Sequence, residues 1–238
     1  MNYKGFDEDF RCRGMQYEVG KKFTVGGEIE ICENGLHSCK NPLDVLRYYE
    51  KPSHRYAIVS PSGSIDGPYC EDSKIASESL EILKEISRAQ LFKESLKKAK
   101  AGDYIVTDGI NVGSAERIVP GLSPIGVALR ITDGEIIVIS TYKFNICNWY
   151  TAIKLCENFN MLGLKWRLPS KEDIQNSDMK KAANFLGNIW LWLSKEYDTD
   201  DAWLWGYNSG SPYFGGYGKS HSGSSYYAVP FCNIKLND

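Results

Sequence analysis

The residues with the greatest chemical potential in this chain are few and scattered. Cys12, Cys32, His37 and Cys39 come nearest to a zinc-ligand set. Their spacing, with CENGLHSC over residues 32–39, fits no standard finger, and free cysteines commonly bury as small hydrophobes. The acidic run EYDTDD offers Glu196, Asp198, Asp200 and Asp201 to a hard cation such as Ca²⁺. In an extended segment those side chains alternate between faces, which splits the cluster. Three histidines, His37, His54 and His221, give no Ser-His-Asp set by chain order. The turns TVGG and GLSPIG lack the Lys-Ser/Thr of a phosphate cradle. No metal, no cofactor and no catalytic residue is therefore expected.

Recognition chemistry has a stronger signal. Residues 206–227, GYNSGSPYFGGYGKSHSGSSYY, contain six Gly, six Ser and five Tyr and no aliphatic side chain. A Gly/Ser tract alone is a flexible linker. Here rings recur throughout: Tyr207, Tyr213, Phe214, Tyr217, Tyr226 and Tyr227. Tyrosine gives large contact area for two side-chain torsions, and Ser, Gly and Asn supply adaptable hydrogen bonds, the palette of antibody-like binding loops. The apolar segments WLW and YAVPFCNI flank the tract and would clamp its ends. The expected contact residues are Tyr207, Asn208, Ser209, Tyr213, Phe214, Tyr217, His221, Ser222 and Tyr226.

The elements that must carry this surface follow from pattern. All six Trp lie in the last ninety residues, and a lysine-rich stretch, FKESLKKAKAGD, separates the two compositions. We expect an amino-terminal α+β accessory domain over 1–91, a solvated helical linker over 92–102 ending at Gly102, and a ligand-binding domain over 103–238. In the first domain, Asn41 and Pro42 start a short helix. RYAIVS reads as a strand, KIASESLEIL as a strand or a helix, and TVGGEIEI as a hairpin around Gly26-Gly27. In the second, DYIVTDG, PIGVALRI and GEIIVIST read as strands with turns at Asp108-Gly109 and Asp133-Gly134. NWYTAIKLCENFNMLG has helical spacing, and Ser170 caps KEDIQ with Asp173 at the third position. NIWLWLS is buried strand or helix end, and DAWLWG and YYAVPFCNI are strand-like. The fold class is α+β.

An ordered set of motifs sharpens this. WRLPS after a helix, then LSKEYDTDDAWLW, then the Tyr/Ser/Gly/Asn-rich loop, then the closing YYAVPFCNI resemble the C-type lectin-like domain of variable proteins from diversity-generating retroelements, over residues 103–238. The resemblance implies a C-type lectin-like fold displaying a non-enzymatic, diversifiable binding surface for a protein or glycan ligand on a cell surface. Trp166 and Trp203 would belong to the supporting core. In such proteins mutagenesis targets adenines, and Asn codons of the AAY type can reach Tyr, Ser, Gly, Asp, His, Phe and Pro without a stop. Nearly every residue from Tyr207 to Tyr227 belongs to that set; Lys219 does not, and is expected to be a fixed position. Leu193 stands where relatives often carry a second Ser before Ser194, which leaves the register of that strand open.

YKGF at 3–6 and ENGLHSCKNPLDVLRYY with RYAIVSPSGSI, within 33–65, are similar to ADP-ribosyltransferase folds, and also to amino-terminal domains of phage-like proteins. The former resemblance implies an alternative: an enzyme in which Lys4 meets the nucleotide, His37 lies near the aromatic position, Glu78 or Glu81 serves the transfer, and the lectin-like domain selects the target. The formal net charge of −2 argues against a nucleic-acid partner, which needs a basic patch. MNYKGFDEDF has neither a basic nor an apolar signal region, and no apolar run approaches a membrane span. The expectation is a protein made in a cytoplasm, without membrane insertion, with incorporation into a phage particle as one destination.

Overall fold

The computed structural model describes residues 1–68, 72–177, 179, 186–187, 189–208, 211–220 and 226–236, with the backbone alone at 208 and 211. In chain order the strands of the first part are β1 (Asn2–Phe6), β2 (Arg11–Cys12), β3 (Met15–Gln16), β4 (Lys22–Thr24), β5 (Leu36–Cys39), β6 (Arg55–Asp66) and β7 (Lys74–Ile86). A 3₁₀ helix, Pro42–Arg47, and α1 (Arg88–Lys97) accompany them. Then come β8 (Tyr104–Thr107), β9 (Val112–Ala115), β10 (Ser123–Ile131), β11 (Glu135–Ser140), α2 (Trp149–Glu157), β12 (Asn160–Met161), β13 (Leu164–Lys165) and α3 (Lys171–Gln175). The chain closes with β14 (Ile189–Glu196), β15 (Asp201–Asn208), β16 (Ser211–Gly218), β17 (Tyr226–Tyr227) and β18 (Phe231–Lys235). This is an α+β protein, and no helix among the described residues is long and apolar enough to cross a membrane.

Two compact units divide the chain: Met1–Lys98 with Asn111–Leu122, and Ala99–Ile110 with Ser123–Asp238. In the first, β7 pairs with β4, β5 and β6, and β1 joins β5 to β6, so four antiparallel strands close on themselves. Closure leaves those strands without a free edge between them. Phe6, Phe10, Tyr17, Leu36, Val59, Leu80 and Ile82 fill one core there. KIASESLEIL lies within β7, where it pairs with β5 and β6, so alternate residues such as Ala76, Glu78 and Leu80 share one face of the sheet and Ser77 and Ser79 the other. The hairpin expected at Gly26-Gly27 does not form: Thr24 pairs with Ser79 of β7, and Asn34 bonds the carbonyls of Gly26 and Glu28 instead.

The lysine-rich segment is not a solvated connection. Its helix is α1, opened by Ser87 in a reciprocal capping box with Gln90, and it buries Leu91, Phe92, Ser95 and Leu96 within the first unit. Gly113 of β9 permits that packing, since a Cβ there would fall 2.6 Å from the Ser95 hydroxyl.

In the second unit, β18-β11-β10-β8 run in that order, with β10 and β11 joined at the expected Asp133-Gly134 turn. A second sheet, β16-β15-β14-β17, carries the aromatic segment. Leu193 is fully buried, and the register of β14 is Leu191 opposite Trp205 and Trp192 opposite Leu204, with an irregularity before Glu196. α2 begins at Asn148, whose side chain accepts from the Thr151 N–H, but it stops at Glu157; residues 160–165 form the small β12–β13 hairpin through Leu162 and Gly163, both at positive φ.

Candidate functional site

The site is built on the antiparallel β15–β16 hairpin, whose register places Gly206 opposite Tyr213, Leu204 opposite Gly215 and Ala202 opposite Tyr217. Side chains alternate along a strand, so these six share one face. Ala202 and Leu204 on this face pack with Trp192 and with Trp149 and Ala152 of α2 in a second core, while Tyr213 and Tyr217 remain 47% and 38% exposed. β17 runs parallel to β14 and sets Tyr226 beside Trp190 on the same side. The rings meet edge to face: Trp190 with Tyr213 at 5.4 Å between centroids, Tyr217 with Tyr226 at 5.1 Å, and Trp192 with Tyr226 at 5.3 Å. Burial, then the hydrogen bond to Tyr217 and the nearby phenols, push the Tyr226 hydroxyl up to about 12. The Tyr226 hydroxyl therefore stays protonated at neutral pH.

The glycines have a specific role in this arrangement. A Cβ on Gly206 would collide with the Trp190 ring, and one on Gly215 would collide with the Tyr213 phenol. On the opposite face, a Cβ on Gly216 would sit 2.6 Å from the Tyr197 ring, which packs on Trp203 at 4.6 Å. Each of these glycines vacates the space under a ring that lies across the strand.

The remaining expected residues divide. Tyr207 and Phe214 turn to the other face, a correction that follows from alternation: Tyr207 is level with Pro212, and Phe214 with Trp205. Both are half-buried against the core that also contains Leu191, Leu193, Trp205 and Phe231. Trp203 packs there too, and the Lys171 ammonium lies 3.6 Å from its ring centroid and 5.7 Å from that of Phe214. Trp166 is buried. Asn208 closes the hairpin opposite Ser211 through its backbone. Ser209, His221 and Ser222 lie outside the described residues.

Lys219 is buried at 4% exposure, and its ammonium donates to the carbonyls of Asp198 at 2.9 Å and Thr199 at 2.7 Å. Its own N–H reaches the Asp200 carbonyl, and its carbonyl accepts from the Trp149 N–H. One residue thus ties the end of β16 to the β14–β15 turn through its side chain and to the start of α2 through its carbonyl. The acidic run itself is a turn: Asp198 Oδ1 accepts the N–H groups of Asp200 and Asp201, while Glu196 faces Lys219. Among the described residues no group of three His, Cys, Asp or Glu is placed to hold a metal ion.

WRLPS supplies the other brace. Arg167 makes a two-pronged contact to Asp173, at 2.6 and 3.2 Å, and a bond to Asn233 Oδ1 at 2.9 Å. Burial alone would raise the Asp173 carboxyl; Arg167 and the Ser170 N–H outweigh it and hold it below the ordinary range. The expected capping box of Ser170 and Asp173 is present in both directions.

In the first unit, Lys4 and His37 come together, with Lys4 Nζ donating to the His37 carbonyl at 2.9 Å. Both line a pocket of about 270 Å³. Glu78 and Glu81 do not line it: the Glu78 carboxylate accepts the Ser64 N–H at 3.0 Å, and Glu81 is exposed on β7 opposite Lys22. Sequence patterning did not single out Arg13, Lys74, Tyr48 or Tyr49, which share the pocket; they arrive from distant segments and carry no local signal.

Residues 1–94 match the model of a domain of unknown function, DUF7666. No curated protein matches the chain.

Proposed function

We propose that the second unit is a non-enzymatic recognition module of C-type lectin-like fold, and that its ligand face centres on Tyr213, Tyr217 and Tyr226 with Trp190 behind them. The observation that carries this reading is the sorting of rings in one hairpin. Tyr207 and Phe214 pack on one core, whereas Tyr213, lying over Gly215, and Tyr217 remain exposed on the other side. Aromatic side chains held out by a rigid sheet contribute disproportionately to protein interfaces. The resemblance to retroelement variable proteins supplies the source of the Tyr/Ser/Gly composition, and a protein or glycan on a cell surface is the ligand class. Lys219, outside the codon set reachable from AAY, is a buried strut, as a position held constant beneath a variable surface would be.

The deciding experiment is sequencing of the DNA beside the gene. A near-copy of the codons for residues 198–230, differing only where the copy has adenine, supports the reading. A flanking region without such a copy or a reverse transcriptase gene removes the diversification part of it. Binding of the full chain to cell surfaces, compared with Tyr213→Ala and Tyr217→Ala, tests the ligand face itself.

A further inference from the structure

We propose that the pocket in the first unit binds a small organic oxyanion, a carboxylate or a phosphate monoester, whose flat apolar part packs against tyrosine rings. Lys4, Arg13 and Lys74 bring three basic side chains to its lining, and no Asp or Glu is among the described lining residues. A concave site lined by one sign of charge concentrates the opposite sign. Tyr3, Tyr48 and Tyr49 supply apolar walls, and Cys12 lies beside them.

The geometry at Lys4 is specific. β1 buries this lysine at 4% exposure, between the rings of Tyr17 and Phe6 at 5.2 and 5.6 Å. Its nitrogen contacts the His37 carbonyl at 2.9 Å and Cys12 Sγ at 3.4 Å, which leaves one ammonium proton without a described acceptor. Burial lowers the proton affinity of Lys4, and a bound oxyanion would favour its charged form. His37 reports the same field. Its Nε2 accepts the Cys32 N–H at 3.1 Å, which puts the ring proton on Nδ1. Burial, then Arg13, Lys4 and Lys74, bring its pKa down to about 4. A neutral imidazole donor beside three basic groups suits an anion and disfavours a cation.

The test uses the full chain with benzoate, phenyl phosphate, benzyl alcohol and benzylamine as probes, at low ionic strength, read by calorimetry and by site-resolved alkylation of Cys12. Cys147, in the other unit, is the control thiol. We expect benzoate or phenyl phosphate to bind below millimolar concentration and to slow Cys12 alkylation at least threefold without affecting Cys147. Benzyl alcohol and benzylamine should do neither. Arg13→Gln and Lys74→Gln, on exposed and half-buried positions where folding is retained, should each weaken the anion about tenfold. Protection by benzoate alone assigns a carboxylate, by phenyl phosphate alone a phosphate, and by both the shared oxyanion. The proposal is overturned if neither anion protects Cys12, if the neutral probe protects it equally, or if both variants bind as the parent does.

Discussion

The Lys219 ammonium lies 3.1 Å from the Glu196 carboxylate, yet the two side chains sit in opposite surroundings, 5% and 60% exposed. The ion pair therefore contributes little beside the two carbonyls that Lys219 also holds. Replacement by methionine keeps the length of the stem and strands those carbonyls. We expect Lys219→Met to lower stability by about 1–3 kcal/mol, and Glu196→Gln by less than about 1 kcal/mol. Urea midpoints of the three proteins check this. Equal losses would show that the pair, rather than the turn, is what Lys219 secures.

Gly206 faces the Trp190 ring, and a Cβ added there would collide with it. Gly206→Ala should cost about 1–3 kcal/mol through overpacking and should shift tryptophan fluorescence. Gly134→Ala, where an added methyl meets open space, should be close to neutral. Thermal unfolding monitored at the tryptophan band separates the two.

Tyr213 and Phe214 are neighbours on β16 with opposite expected phenotypes. Tyr213→Ala and Tyr217→Ala should reduce ligand capture tenfold or more, about 1.4 kcal/mol, with unfolding midpoints near the parent's. Phe214→Ala should lose stability first, by about 1–3 kcal/mol for a half-buried ring. Paired binding and denaturation curves decide. Loss of binding in Phe214→Ala at full stability would place the ligand on the other face of the sheet.

Arg167 makes the folded Asp173 carboxyl more acidic than in the unfolded chain. The stabilisation is thus complete above the ordinary carboxylate pKa and is lost as pH falls through the lower folded value. Stability measured from pH 6 down to pH 2 should decline less steeply in Asp173→Asn than in the parent, the variant starting from a lower plateau. Parallel curves would mean that the carboxyl titrates alike in both states.

What was legible in the sequence was mostly local. Ser170 with Asp173 is a reciprocal cap written within four residues, and the β10–β11 turn is written in Asp133-Gly134. The facing of β16 was not legible, because Tyr213 and Phe214 are adjacent and both aromatic, so no apolar–polar alternation marks the inner side. Pairing with β15 decides it, through Trp205 opposite Phe214 and Gly206 opposite Tyr213. α1 misled for a related reason: its lysines advertise solvent, while Leu91, Phe92 and Leu96 turn inward on the same helix. The pocket was hidden because Lys4, Arg13, His37 and Lys74 meet only once β1, β5 and β7 pair.

Strand alternation on β16 has a corollary for any process that rewrites this hairpin codon by codon. On the proposed function, substitutions at Tyr213 and Tyr217 would change what the molecule can grasp, whereas those at Phe214 and at the glycines that lie against rings would be spent on the framework. The usable repertoire is therefore far smaller than the number of altered codons, and surviving variants should show a two-residue rhythm of tolerance along the strand.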